Sequence, residues 1–119
     1  MTINLRNVKK YLITELELSD EESEIFLFIV KGGKANIEKI AKSFKSPRKI
    51  VFDSLVSLVE KGMIIEISAN EYESLHPKFA VVNLYRRLCL DNNLQFKKNV
   101  LIDNIGTILE RPFEDARSK

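Results

Sequence analysis

The sequence has few of the residues from which reactive sites are built. Among its 119 residues there is one cysteine, Cys89, and one histidine, His76. A single cysteine excludes an internal disulfide framework and favours a reducing cytoplasm. Cysteine and histidine are too few to form a zinc site, and no carboxylate pair has a histidine or lysine partner at useful spacing. We therefore expect a protein that is not an enzyme and that uses no metal and no cofactor.

Long apolar runs are also missing. The longest are far shorter than the roughly 20 residues that a membrane-spanning helix requires, and the first residues show no signal-peptide pattern. The apolar fraction of 45% still allows an ordinary packed core, and the charged fraction of 30% is normal for a soluble domain. These features predict a cytoplasmic protein with no membrane partner.

Positive charge is concentrated in one segment, although the net charge of the chain is only +2. Residues 31–49 contain seven lysine and arginine residues and a single acidic residue, Glu38. Acidic residues cluster on both sides of this segment, at 20–24 and 60–73. A phosphate-binding surface requires such a local excess, whereas a solvated helical face is the alternative explanation.

The same segment has the pattern of a helix-turn-helix. Asn36 is a good N-cap for a helix over residues 37–44, and Ser46 is predicted to cap a second helix over residues 47–61. Residues 63–75 then have the pattern of a β-hairpin. Two helices at a sharp turn followed by a hairpin are typical of a winged helix-turn-helix. We expect a mostly α fold with a two-stranded wing.

The helix over residues 47–61 is the predicted recognition helix. Val51, Leu55 and Leu58 form its inward stripe, which leaves its N-terminal half to read a DNA groove. Phe52 either touches a thymine methyl group or fills the edge of the core. The predicted DNA-binding residues are Lys34, Asn36, Lys42, Lys45, Ser46, Arg48, Lys49 and Phe52.

The hairpin is expected to be structural or to make only a weak DNA contact. Its tip, residues 69–71, carries no lysine or arginine, whereas wings that enter the minor groove usually insert a basic residue. Its weak alternation of apolar and polar residues predicts four packed side chains, namely Ile65, Ile67, Tyr72 and Leu75.

The flanking segments are predicted to be helical. Residues 3–17 form a first helix, and Ser19 and Glu22 form a capping box for the second. After residue 77 a helical segment runs to a break or kink at 91–93 and resumes over 94–109, so residues 78–109 form either one helix or two. Pro112 is expected to stop the helix before a frayed tail at 114–119.

These elements predict a winged-helix domain at 1–76 and a helical dimerisation segment at 77–119. Pairing with a second copy would bury the long apolar stripe of the C-terminal segment, and a hairpin folded back on its own domain is the alternative. The residues predicted to make the dimer are Leu5, Leu12, Val81, Leu84, Tyr85, Leu88, Leu94, Leu101 and Ile105.

Four motifs carry a resemblance to a known family. They are L-S-D-E-E-S-E-I-F at 18–26, S-P-R-K at 46–49, V-F-D-S-L-V-S-L-V-E-K-G-M-I at 51–64 and E-Y-E-S-L-H-P at 71–77. On these motifs the stretch 16–84 resembles the archaeal TrmB-type winged-helix transcriptional regulators. The resemblance implies a dimeric transcription factor in which Arg48 and Lys49 hold DNA-contacting positions.

This sequence departs from that family's pattern in two places. Ile50, Glu71 and Glu73 stand where members often have basic residues. Larger members append a sugar-sensing domain, for which this chain is too short, so we expect no small-molecule effector.

Two function classes remain open at this point. The basic segment and the Ser-Pro-Arg-Lys helix start favour a homodimer that binds double-stranded DNA and regulates transcription. An outward-facing Val56, an acidic hairpin and the modest net charge favour a winged helix that contacts another protein without reading DNA.

Overall fold

A computed structural model of the chain describes residues 3–118. It is mostly helical, with a small antiparallel sheet in the strand order β1-β3-β2, which confirms the predicted winged-helix fold. The elements in chain order are α1 (Val8–Thr14), α2 (Asp20–Gly32), β1 (Lys34–Asn36), α3 (Ile37–Phe44), α4 (Arg48–Glu60), β2 (Ile64–Ser68), β3 (Glu71–Ser74), α5 (Pro77–Asp91) and α6 (Val100–Arg117).

The first helix is shorter than the predicted range of 3–17. The Asn4 side-chain oxygen accepts hydrogen bonds from the backbone N–H groups of Arg6 (2.9 Å) and Asn7 (3.2 Å). Asparagine side chains that bind nearby backbone in this way compete with helix formation. At the other end, Glu17 adopts a left-handed conformation with φ of 58°. Only Val8–Thr14 is therefore helical.

The hairpin packs on the core through a different set of residues from the predicted one. Tyr72 is buried, as predicted, but the prediction was wrong for Ile65 and Ile67, which are 43% and 37% exposed. Met63 and Ile64 are buried instead. Successive strand residues face opposite sides, and a register shift between Glu66 and Ser68 further disturbs the alternation.

A carboxylate, Glu22, joins the start of α2 to the end of α4. The predicted capping box is confirmed: Ser19 Oγ accepts from Glu22 N–H at 3.0 Å, and Glu22 Oε1 accepts from Ser19 N–H at 2.9 Å. The other carboxylate oxygen accepts from Lys61 Nζ at 2.9 Å and from the Ser57 hydroxyl. Because the Glu22 side chain is only 10% exposed, water does little to screen this contact.

These contacts shift the titration of Glu22. Burial by itself would raise its pKa, but the hydrogen bonds from Lys61, Ser57 and the Ser19 backbone outweigh burial and lower the pKa to about 2. A carboxylate whose pKa is lowered on folding stabilises the fold above its unfolded pKa, and this stabilisation is lost as the pH falls towards the folded pKa.

We expect Glu22→Gln to lower the free energy of unfolding at neutral pH by roughly 1–3 kcal/mol. The variant loses the carboxylate whose lowered pKa on folding is worth about 3 kcal/mol. The difference from the parent chain should shrink as the pH falls from about 4.5 to about 2. Urea unfolding at several pH values measures it, and Glu15→Gln, at an exposed position, is the control. A difference that stays constant with pH would contradict the assigned role.

The C-terminal segment forms two helices. Of the two possibilities left open at residues 91–93, a kink or a break, the structure has the break, since α5 ends at Asp91. The second helix does not begin at residue 94 but at Val100, where the Asn99 side chain accepts from Leu101 N–H at 3.0 Å. The predicted stop at Pro112 was wrong, because α6 continues through it to Arg117.

Tertiary contacts hold the last turns of α6 in place. Phe113 is buried, and the Arg117 guanidinium lies over its ring at 4.4 Å. Arg117 also forms an ion pair with Glu73 and donates to the Ser74 carbonyl at 3.3 Å. The tail predicted to fray is therefore helical up to Arg117, and Lys119 lies outside the described residues.

The predicted dimer residues divide into three groups. Leu12, Val81, Leu84 and Ile105 are at most 1% exposed within a single chain, where a second copy cannot reach them, so the dimer prediction is corrected for these four. Tyr85, Leu88 and Leu101 are partly buried against the same core. Leu5 and Leu94 are 48% and 63% exposed, and they remain predictions. The C-terminal segment thus folds back as a hairpin onto its own domain, with Ile102, Leu109 and Phe113 in the common core.

Helices α5 and α6 approach each other closely at Gly106. A Cβ atom at this position would lie 2.9 Å from Lys78 Cα, so a larger residue would push the two helices apart. Gly32, at the end of α2, has no neighbouring atom within 4 Å of an added Cβ and gives a matched comparison.

We expect Gly106→Ala to destabilise the fold by about 1–3 kcal/mol through this overlap, despite the better helix propensity of alanine. Gly32→Ala should be neutral or slightly stabilising. Thermal unfolding of the two variants tests the difference, and equal melting temperatures would contradict the close approach.

Candidate nucleic-acid interface

The turn between α3 and α4 presents the basic segment to solvent. Lys45 ends α3 in a left-handed conformation with φ of 52°, and Ser46 N–H donates to the Ala41 carbonyl at 3.1 Å. The prediction that Ser46 caps α4 was wrong. The Ser46 hydroxyl is directed to the Phe44 carbonyl instead. Pro47 is the N-cap of α4 and provides no side-chain hydrogen bond.

Helix α4 is anchored along its inner face and at its far end. Val51, Leu55 and Leu58 are fully buried, which confirms the predicted inward stripe. Ser57 in α4 and Lys61 just after it contact Glu22. In the first turn of α4, Val51 faces the core whereas Arg48 and Lys49 are exposed to solvent.

All seven basic residues of the segment 31–49 are exposed. Two of them form ion pairs: Arg48 Nε lies 3.1 Å from Glu38, and Lys49 Nζ lies 3.7 Å from Asp53. Within residues 3–118, the other five form no ion pair. Exposed pairs of this kind contribute only about 0–1 kcal/mol, so a phosphate can replace either carboxylate at little cost. The five unpaired residues are Lys31, Lys34, Lys39, Lys42 and Lys45.

Not every predicted DNA-binding residue lies at the turn between α3 and α4. Asn36 is occupied as the cap of α3, where its side-chain oxygen accepts from Lys39 N–H at 2.7 Å. Lys34 lies on β1 beside a cleft lined by Glu73 and Arg117, away from the turn. Lys42, Lys45, Arg48 and Lys49 lie on α3, the turn and the start of α4. The pairing of Arg48 with Glu38 was missed, because it depends on how α3 and α4 are placed.

The outer face of α4 changes character beyond its first turn. Phe52, Val56 and Val59 are 43%, 37% and 39% exposed, so Phe52 does not fill the core. Together with Glu60, Glu66 and Tyr72 these residues line a groove between α4 and the hairpin, which we call the α4 groove. Burial raises the pKa of Tyr72, and the Glu66 carboxylate raises it further. The sequence contained a signal for this groove, because apolar residues recur there at four- and three-residue steps.

One group of side chains among residues 3–118 has the spacing to hold a metal ion. The ligand atoms of His76, Glu110 and Glu114 lie within 4.8 Å of one another. His76 Nδ1 accepts from Lys78 N–H at 3.2 Å, which places the proton of the neutral ring on Nε2, 3.2 Å from Glu110. Lys78 Nζ also lies 3.4 Å from Glu110. Hydrogen bonds and an ion pair account for this group, and we assign no metal to it.

Comparison of the sequence with known protein families agrees with a winged helix that carries a basic helix-turn-helix. Residues 12–85, more than half of the chain, match the family described as the sugar-specific transcriptional regulator TrmB. The chain belongs to the TrmB family. This is a family of DNA-binding transcription regulators and not of enzymes. No curated protein and no solved structure matched the chain.

The TrmB match covers a defined part of the structure. It begins within α1 and ends within α5, so it contains the helix-turn-helix and the hairpin but not α6. None of the helices in the described part of the chain is both long and apolar enough to cross a membrane.

We expect Glu38→Gln to tighten DNA binding, because it releases Arg48 and adds one positive charge to the helix-turn-helix. The pKa of Glu38 is lowered by a backbone N–H hydrogen bond and by Arg48, so the carboxylate is ionised at neutral pH. Affinity for duplex DNA at low salt should rise about threefold. Glu15→Gln removes an exposed carboxylate elsewhere and should leave the affinity unchanged.

Proposed function

We propose that this TrmB-family protein is a homodimeric transcription regulator that inserts the first turn of α4 into the major groove of double-stranded DNA. The observation that carries this proposal is the exposed pair Arg48 and Lys49 at the start of a helix whose remaining length is anchored in the core. In helix-turn-helix proteins, the N-terminal residues of the second helix contact base edges.

The neighbouring charges support DNA as the partner. Lys42 and Lys45 lie just before α4 and form no ion pair within the described residues, so they are available to phosphates. Phosphate contacts provide register and affinity, whereas Arg48 and Lys49 have the donors to read guanine edges. The regulator is expected to act without a small-molecule effector and to reside in the cytoplasm.

The structure of the hairpin, which is the wing of this fold, favours DNA binding through α4. Its tip is held against α3, because Ile37 N–H donates to the Asn70 carbonyl at 3.0 Å. Glu71 and Glu73 on β3 would repel phosphate. A second copy related by a two-fold axis would place its α4 about 34 Å away, one helical turn along a palindromic site.

Fluorescence anisotropy on duplex DNA tests the proposal. A dimer that neutralises about six phosphates should lose about a thousandfold in affinity between roughly 50 and 200 mM salt. The double variant Arg48→Ala, Lys49→Ala should bind more weakly and with a shallower salt dependence, because it gives up phosphate and base contacts.

The matched control removes two exposed basic residues outside the segment, with Arg6→Ala and Arg111→Ala. It should bind like the parent chain. No binding at low salt, or equal losses in the two double variants, would reject α4 as the recognition helix.

The α4 groove favours a second function class. Its apolar floor and the carboxylates of Glu60 and Glu66 are unsuited to phosphate but suited to protein. The alternative function is therefore a winged helix that contacts a protein without reading DNA. This alternative would be established if the chain bound no DNA and instead bound a protein whose affinity Val56→Asp abolishes.

A further inference from the structure

Two exposed apolar surfaces of the chain carry charges of opposite sign. One is the α4 groove, with its acidic residues. The other is the connection between α5 and α6, residues 90–100, which we call the α5–α6 tip. Neither surface is covered by any other of residues 3–118.

The α5–α6 tip is apolar and basic. Leu90, Leu94 and Val100 are 72%, 63% and 67% exposed, which is unusual for side chains of this size. Lys97 and Lys98 lie between Leu94 and Val100 and are exposed without an ion pair among residues 3–118, and they outnumber the one acidic residue of the tip, Asp91. Such a segment fits a surface that offers apolar area and carboxylates.

The α4 groove offers that chemistry. Phe52, Val56 and Val59 form an apolar stripe along α4, and Glu60 and Glu66 add negative charge. Two copies of the same surface would place like charges together, whether groove met groove or tip met tip. Pairing of tip with groove instead brings lysines to carboxylates and apolar side chains to apolar side chains.

The two surfaces lie close enough on one chain for a closed dimer. Arg87 Nη1 donates to the Glu60 carbonyl at 2.7 Å, which places the end of α5 beside the end of α4. Neighbouring surfaces of complementary character can form two equivalent contacts around one two-fold axis. Distant surfaces would more readily produce an open chain of copies.

We propose that two copies associate by reciprocal contact of the α5–α6 tip of each with the α4 groove of the other. This contact rests on the homodimer of the proposed function and names its surfaces. The partner's tip would cover the outer face of α4 from Phe52 to Glu60 and leave Arg48 and Lys49 exposed at the start of the helix. Leu94 is then a dimer contact, as predicted from the sequence.

Sedimentation velocity over a range of protein concentrations tests this contact through a charge exchange. Glu60→Lys and Lys97→Glu should each weaken self-association about tenfold, and the chain with both changes should regain most of the loss. Leu94→Ser should weaken the dimer without affecting the fold, because this side chain is exposed. Glu15→Lys and Arg111→Glu, exposed residues on neither surface, are the controls.

A parent chain that stays monomeric at all concentrations would overturn this contact. The contact would also be overturned if Glu60→Lys left the dimer dissociation constant unchanged. A double variant in which the two losses of dimer affinity simply add would overturn it as well. Circular dichroism of each variant verifies that the fold is retained.

Anisotropy on DNA separates this contact from the DNA proposal. If the chain is a monomer whose DNA binding depends on Arg48 and Lys49, the proposed dimer contact is wrong but α4 remains the proposed recognition helix. If the chain is a dimer whose stability responds to the charge exchange as expected but that binds no DNA, the dimer contact stands and α4 is not a recognition helix.

Discussion

The position of α4 depends on one carboxylate. Glu22 closes the capping box that begins α2 and, with its other oxygen, binds Ser57 and Lys61 at the end of α4. The most buried helix and the proposed recognition helix are thus joined at a fixed point. Without the tie, the buried stripe of Val51, Leu55 and Leu58 would still hold α4 to the core but would leave its axial position less defined.

Helix α6 determines which surfaces remain for partners. It packs against α5 and α2, so the apolar stripe that seemed to need a second copy is largely satisfied within one chain. The close approach at Gly106 and the contacts of Arg117 with Glu73 hold α6 at both its middle and its end. The apolar side chains that stay exposed include those of the connection between α5 and α6 and those of the outer face of α4, as well as Phe79 near the start of α5.

Local chemistry explains what could be predicted from the sequence. The Ser19–Glu22 capping box and the inward stripe of α4 depend on residues a few positions apart, and both were predicted correctly. Continuation of α6 through Pro112 depends on Phe113 and Arg117 meeting residues far away in sequence. The burial of Ile64 in place of Ile65 depends on the register of the sheet. At the candidate site, exposure of the basic residues was predictable, but the Arg48–Glu38 pair required the placement of two helices.

The two ends of α4 break the usual rules of helix termini in opposite ways. Helix N-termini favour acidic residues and a side-chain cap, as α2 has with Ser19 and three acids in its first turn. Helix α4 begins with Arg48 and Lys49, has no acid in its first turn and receives no side-chain cap. Its last turn has no basic residue and ends in Glu60, whose carbonyl is bound by Arg87 from α5. Local choices that oppose helix stability are expected where function requires them. An anion at the first turn would satisfy the end of α4 that lacks a cap, whereas the last-turn carbonyls, including that of Glu60, already accept hydrogen bonds from within the chain.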